Sequence, residues 1–276
     1  MRLNHLALTD HRNIKYAELT PDPHLTVLCG PNGQGKTNLL EAVWLLTGGK
    51  SFRGAKDAEL IRENAGYAVA EGETQGFGKE SRIRVFVGGQ PGARKARTVR
   101  VNGVDYGRAA NAAGTFTAVV FDPGHLSLVK GAPEGRRKFL DAALCQLYPG
   151  YLASYRRYVR VLQQKNALLR HSATGQERPY AEKRTLLEVL NTDLAAQGEA
   201  LQQRRREYLT LLAPRACANY AELSHGAERM SIRYAAQFAP GGLAALLRQR
   251  QEAREEAASA AHAKSKERAK KEKEKD

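Results

Sequence analysis

The sequence predicts an α/β protein of two lobes, a mixed sheet-and-helix lobe followed by a mostly helical one. Three observations predict it. Short segments of alternating apolar and polar residues, divided by Gly-rich or Asn-Gly turns, fill roughly the first 120 positions. A glycine-rich run, LCGPNGQGKTNLL, joins one apolar segment to a helical pattern. From Glu134 onward the apolar period becomes helical.

The elements follow in order. Leu3–Leu8 and Leu25–Cys29 read as short strands, with TPDPH turning the chain before the second. Asn38–Leu46 places Leu39, Leu40, Val43, Leu45 and Leu46 at helical spacing. Tyr67–Glu71, Arg82–Val87 and Thr98–Val101 form an antiparallel meander, and Thr117–Phe121 is a buried strand by its β-branched content. Tyr151, Leu152, Tyr155, Tyr158, Val159, Leu162 and Leu169 make one helical stripe. After the break HSATGQERPY, Leu186–Leu212 makes a second long helix, so the two helices form an antiparallel pair. Met230–Ala236 alternates as a strand. Beyond Gly242 the composition turns to Ala, Glu, Lys and Arg, and AHAKSKERAKKEKEKD, with no apolar face, is expected as solvated helix or disorder.

Composition narrows the function. With 276 residues, 42% apolar and 26% charged, the chain is an ordinary globular one of one or two domains. Its opening, MRLNHLALTD, is too polar for a signal peptide, and no apolar run reaches the length of a membrane span. Cys29, Cys145 and Cys217 are far apart and form no CxxC pair. This argues against a disulfide framework or a zinc site, and a cytoplasmic location with no membrane partner is expected. The net charge is +15. From Lys130 to Arg170, nine basic side chains stand against Glu134 and Asp141, nearly half of that excess. A polyanion, nucleic acid first, is the expected partner.

Gly30-Pro31-Asn32-Gly33-Gln34-Gly35-Lys36-Thr37 satisfies GxxxxGK[ST], with Asn38 next. Glycines at 30, 33 and 35 let the backbone curl so that successive N–H groups face an anion. Lys36 is placed for the outer phosphates and Thr37 for a magnesium ion, Mg2+. A site for ATP or GTP follows. Hydrolysis asks for more, first a carboxylate at the end of a buried strand. Asp122 ends Ala118-Val-Val-Phe and is a minority candidate, because Pro123 stands where a catalytic glutamate belongs. Leu223-Ser-His-Gly imitates an ABC signature, but the strand pattern after it reads it as a turn. Two other readings stay open: a compact P-loop NTPase or kinase using Asp122 for magnesium, and a fragment without function.

The chain resembles the RecF family of bacterial recombination mediators within the ABC/SMC ATPase group. The likeness is carried by Arg12-Asn13, GPNGQGKTNLLEAV, SFRGAKDAELIR (51–62), FDPGHLSLVKGAPEGRRKFLD (121–141), YLASYRRYVRVLQQKNALLR (151–170) and the stretch around RMSIRYAAQF. The resemblance implies an ABC-type ATPase head over 1–132, a helical second lobe over 133–228, the start of a return to the head over 229–247, and a charged tail over 248–276. It implies ATP with Mg2+ as cofactors, adding Arg12 and Asn13 to the nucleotide residues, and an ATP-dependent homodimer. It further implies binding to single-stranded and gapped double-stranded DNA at junctions, and work with RecR and RecO to load recombinase. The setting would be recombination, repair, replication and the SOS response. Arg136, Arg137, Arg156, Arg157 and Arg160 are the expected DNA contacts. A family member should continue past Ala239 into a Ser-x-Gly-Gln signature, a Walker-B Asp-Glu and a His loop; none is in the sequence. The family's weak DNA-dependent ATPase activity is therefore expected to be impaired.

Overall fold

The computed structural model describes residues 1–76, 78–88, 96–171, 180–236 and 242–273. The chain divides into two compact units, Met1–Pro149 and Gly150–Asp276.

The first unit is built on one antiparallel sheet. Strands β1 (Arg2–His11), β2 (Ile14–Leu19), β3 (Ala68–Gly76), β4 (Lys79–Gly88), β5 (Ala96–Val101) and β6 (Val104–Arg108) lie in the order β2-β1-β3-β4-β5-β6. The expected meander is present and longer than its sequence pattern. Asn102 and Gly103 close β5 onto β6 at φ 50° and 83°, the left-handed pair that a two-residue hairpin needs. Alternate residues of β1, β4 and β5 are buried on one face of the sheet. Leu6 and Leu8 of β1, Ile83 and Val85 of β4, and Val99 of β5 pack with Ala42 and Leu46, at and just beyond helix α1 (Lys36–Leu45). A satellite cluster of Leu45, Leu60, Ala68 and Val87 extends this core. Short α2 (Ser127–Lys130) leads to α3 (Pro133–Leu147), whose proline suits a first helical turn.

Three expected strands do not form. Residues 25–29, 117–121 and 230–236 carry no strand assignment. Leu25 is 74% exposed, Val27 69%, Val119 93% and Phe121 81%. Their composition favours strands, but a strand exists only beside a partner, and no described segment pairs with them.

The second unit is helical: α4 (Pro149–His171), α5 (Tyr180–Leu223) and α6 (Gly242–Lys273). The break expected around HSATGQERPY falls mainly on 172–179, outside the described residues. Leu223-Ser-His-Gly terminates α5. His225 and Gly226 take φ 51° and 75°, and the Gly226 N–H donates to the Ala221 carbonyl at 2.8 Å. This is a left-handed helix end, not a nucleotide signature. Helix α6 begins against α5: the Leu243 N–H donates to Glu199 (3.1 Å), and Asn191 donates to Gln251 (2.7 Å).

Candidate functional site

The phosphate loop owes its shape to its glycines. Gly30, Gly33 and Gly35 take φ 144°, 84° and 102°, which side-chain-bearing residues avoid. A Cβ on Gly30 or Gly33 would meet nothing within 4 Å, so backbone conformation alone requires glycine there. Gly35 is constrained twice, since a Cβ would also lie 2.8 Å from Asn13 Oδ1. Gly35 caps α1 without a side-chain hydrogen bond, so the first-turn N–H groups are not taken up by a capping side chain. The Lys36 ammonium donates to the Gly30 and Pro31 carbonyls at 2.6 and 2.7 Å, across the mouth of the loop. Pro31, Asn32, Gly33, Gln34 and Thr37 are exposed.

A hairpin holds this loop from one side. Arg12 and Asn13 are the two residues between β1 and β2, where His11 pairs with Ile14. Asn13 Nδ2 donates to the Gly33 carbonyl (2.9 Å), and Asn38 Nδ2 donates to Asn13 Oδ1 (2.8 Å). Arg53 then donates to Asn38 Oδ1 (2.8 Å). Arg12 adopts φ 57°, uncommon for a bulky residue. Its guanidinium is turned onto Glu41 of α1, donating from Nε (2.8 Å) and Nη2 (3.1 Å). That two-pronged pair compensates the strained turn.

Glu41 is fully buried, and it is the residue that sequence reasoning missed. A glutamate just after a phosphate loop reads as a surface residue. Its partners, Arg12 and Ser51, lie in separate stretches of the chain. The Ser51 hydroxyl donates to the same carboxylate and accepts the N–H groups of Arg53 (3.1 Å) and Ala55 (3.3 Å). Burial pushes the Glu41 carboxyl up, but hydrogen bonds from Arg12 and Ser51 and the Arg12 charge outweigh it and hold it below the ordinary range. Beside it, burial lowers His11 to about 4, against a smaller upward pull from Glu41.

Asp122 serves its own turn. Its carboxylate accepts the Gly124 N–H (2.6 Å), and its N–H donates to His125 Nδ1 (3.2 Å) at the start of the 3-10 turn Pro123–Leu126. The five arginines expected on DNA divide between the units. Arg136 reaches the carbonyls of Leu128 and Gly131, both at 2.9 Å, and Arg137 beside it on α3 is exposed. Arg156, Arg157 and Arg160 are exposed on α4, where Arg157 pairs with Asp193 of α5 (2.8 Å). Among the described residues no helix is long and apolar enough to cross a membrane.

Residues 2–130 match the RecF/RecN/SMC N terminal domain. The DNA replication and repair protein RecF of Anaeromyxobacter dehalogenans (strain 2CP-C) is 40% identical over 227 residues, which are 81% of this chain and 57% of that protein. RecF of Geobacillus thermodenitrificans (strain NG80-2) is 34% identical over 234 residues, 85% of this chain and 60% of the relative. The chain thus spans less than two thirds of the length of these curated relatives. A solved structure of the recombination mediator protein RecF-ATP of the RecFOR pathway superposes with a TM-score of 0.78 at 26% identity, covering 90% of this chain and 66% of that one. The RecF-ATPrS structure gives 0.69 at 28% identity, covering 81% and 58%. Over the matched residues, both the sequence and the fold of this chain are similar to those of RecF proteins.

Proposed function

We propose that this chain is a RecF-like, ATP-binding and DNA-binding protein of replication and recombinational repair. The observation that carries the reading is the loop of Gly30–Thr37, curled on three left-handed glycines and fastened through Asn13 at Gly33. Backbone N–H groups of this loop and of the first turn of α1 would hold the phosphates, Lys36 the outer ones, and Thr37 a magnesium ion. Arg12 and Asn13 would shape this site from the hairpin. Similarity to structures of RecF with ATP and ATPrS favours ATP over GTP. Binding at single-strand gaps and junctions, ATP-dependent pairing of two copies, and work with RecR and RecO to load recombinase complete the proposal. The chain by itself would hold ATP with little turnover. Asp122 is engaged in a local turn, and a loop that binds ground and transition states alike does not raise a rate.

One experiment tests both halves. Calorimetry with ATP and magnesium should show binding by the parent and loss of binding, on the order of a hundredfold or more, in Lys36→Ala. Equal affinities would overturn the assignment. Gapped DNA is then titrated at several salt concentrations, with the triple change of Arg156, Arg157 and Arg160 to Glu alongside. Contacts to phosphates release counterions, so the variant should bind every sequence more weakly and with a flatter salt slope. An unchanged slope would move the DNA site off α4.

A further inference from the structure

We infer that the second unit carries a pocket, between helices α4, α5 and α6, for an acidic peptide that inserts one aliphatic side chain. The inference rests on this unit alone and not on nucleotide binding.

The pocket holds about 200 Å3. Three leucines line it, one from each helix: Leu169, Leu187 and Leu247. With them stand five cations, Lys165, Lys183, Arg184, Arg250 and Arg254, against one carboxylate, Glu255. Arg184 has a partner in Glu188 of its own helix, at 3.2 Å. Among the described residues the other four cations form no ion pair.

A run of side-chain hydrogen bonds crosses the three helices and fixes this arrangement. Lys165 Nζ donates to Asn191 Oδ1 (2.5 Å), Asn191 Nδ2 to Gln251 Oε1 (2.7 Å), and Gln251 Nε2 to Glu255 Oε1 (3.1 Å). Asn191 is buried, so its amide is held at both ends. Lys165 is half-buried, and the partner it has is a neutral amide. Burial, then the charges of Arg254 and Arg250, pull its ammonium below the ordinary lysine range. Like charges gathered in a partly buried pocket repel, and an incoming anion relieves that repulsion.

The lining selects among anions. Nucleic acid fits poorly, because no lining residue is aromatic and a base finds nothing to stack on. Glu255 repels a phosphate backbone, which has no N–H to offer it, whereas a peptide backbone does. The volume suits one aliphatic side chain rather than a cofactor, whose pockets run to roughly 300–1,000 Å3. Carboxylates on either side of that side chain would meet Arg250 and Arg254 in two-pronged pairs. The occupant is therefore a peptide in which one leucine or isoleucine is flanked by aspartates and glutamates.

Fluorescence anisotropy tests this with the 276-residue chain and a labelled peptide, Asp-Asp-Glu-Leu-Asp-Asp-Glu. The parent should bind it, and serine in place of the peptide's leucine should weaken binding at least about fivefold. Arg250→Glu combined with Arg254→Glu should weaken it at least about tenfold. Thermal melts unchanged from the parent show that the fold is kept; if the double variant melts early, Lys183→Glu on α5 decides by the same readout. No binding by the parent, or equal binding of the leucine and serine peptides, would overturn the inference. So would displacement of the peptide by a lower concentration of an oligothymidylate of equal charge, which would make the pocket a nucleic-acid site. Lys36→Ala should bind the peptide as the parent does, so failure here and failure of the nucleotide reading are told apart.

Discussion

The phosphate loop is held unequally on its two sides. On the hairpin side, Gly33 is tied to Asn13, Asn13 to Asn38 and Asn38 to Arg53, while buried Glu41 gathers Arg12 and Ser51. On the approach side, 25–29 reaches Gly30 with Leu25 and Val27 in solvent. The first set of bonds joins residues between 12 and 53, so it needs only the hairpin, α1 and the segment after it. On the second side, among the described residues, no hydrogen bond engages the backbone of Val27, Leu28 or Cys29. The left-handed glycines therefore set the cradle's curvature, and the side-chain network fastens it on the hairpin side.

Removing Glu41 should break the held side most severely. Glu41→Ala strands a mostly buried guanidinium and frees the strained turn at Arg12, a cost of about 3–5 kcal/mol. Urea unfolding of the chain measures it. Glu41→Gln, which keeps the shape and a hydrogen-bond acceptor, should cost less. A loss under about 1 kcal/mol for Glu41→Ala would show that the pair does not anchor the hairpin.

The same side should weaken in acid. His11 is buried, and its folded pKa is depressed from 6.5 to about 4, so the unfolded chain binds the proton more readily. Stability from this group is fully present above 6.5 and is lost as pH falls from 6.5 toward 4. The loss amounts to about 3 kcal/mol. Glu41, also depressed, adds a further loss as pH falls below the ordinary carboxylate value of 4.5. His11→Gln should flatten the upper part of this profile in unfolding experiments across that range. A parent whose stability does not change there would contradict the burial of a neutral imidazole.

Much of this was legible in the sequence, and the division is physical. The phosphate loop, the meander and α1 are local: glycine positions, Asn-Gly turns and an apolar period specify each within its own residues. Strand β2 escaped because Ile14–Leu19 leaves Lys15, Tyr16 and Glu18 exposed at the sheet edge, with little apolar pattern to read. Glu41 escaped because its partners lie 29 residues before it and 10 after, and no spacing rule joins them. Segments 25–29 and 117–121 carry strand composition but lack a ladder, since pairing is a property of two segments.

The smallest expected effect lies on the open side. Leu25→Ser combined with Val27→Ser should change the stability of the chain alone by no more than about 0.5 kcal/mol. Both side chains are already in water, so the folded state gives up almost no buried apolar area when they shrink. Leu8→Ala is the contrast: that residue is 1% exposed in the main core, and its truncation should cost about 2–5 kcal/mol. The comparison sharpens if the double serine variant is silent while Leu8→Ala is costly, because only the second removes buried apolar area. If it unfolds the isolated chain by more than about 1 kcal/mol, residues 25–29 are already packed in solution and the two sides of the loop are held alike.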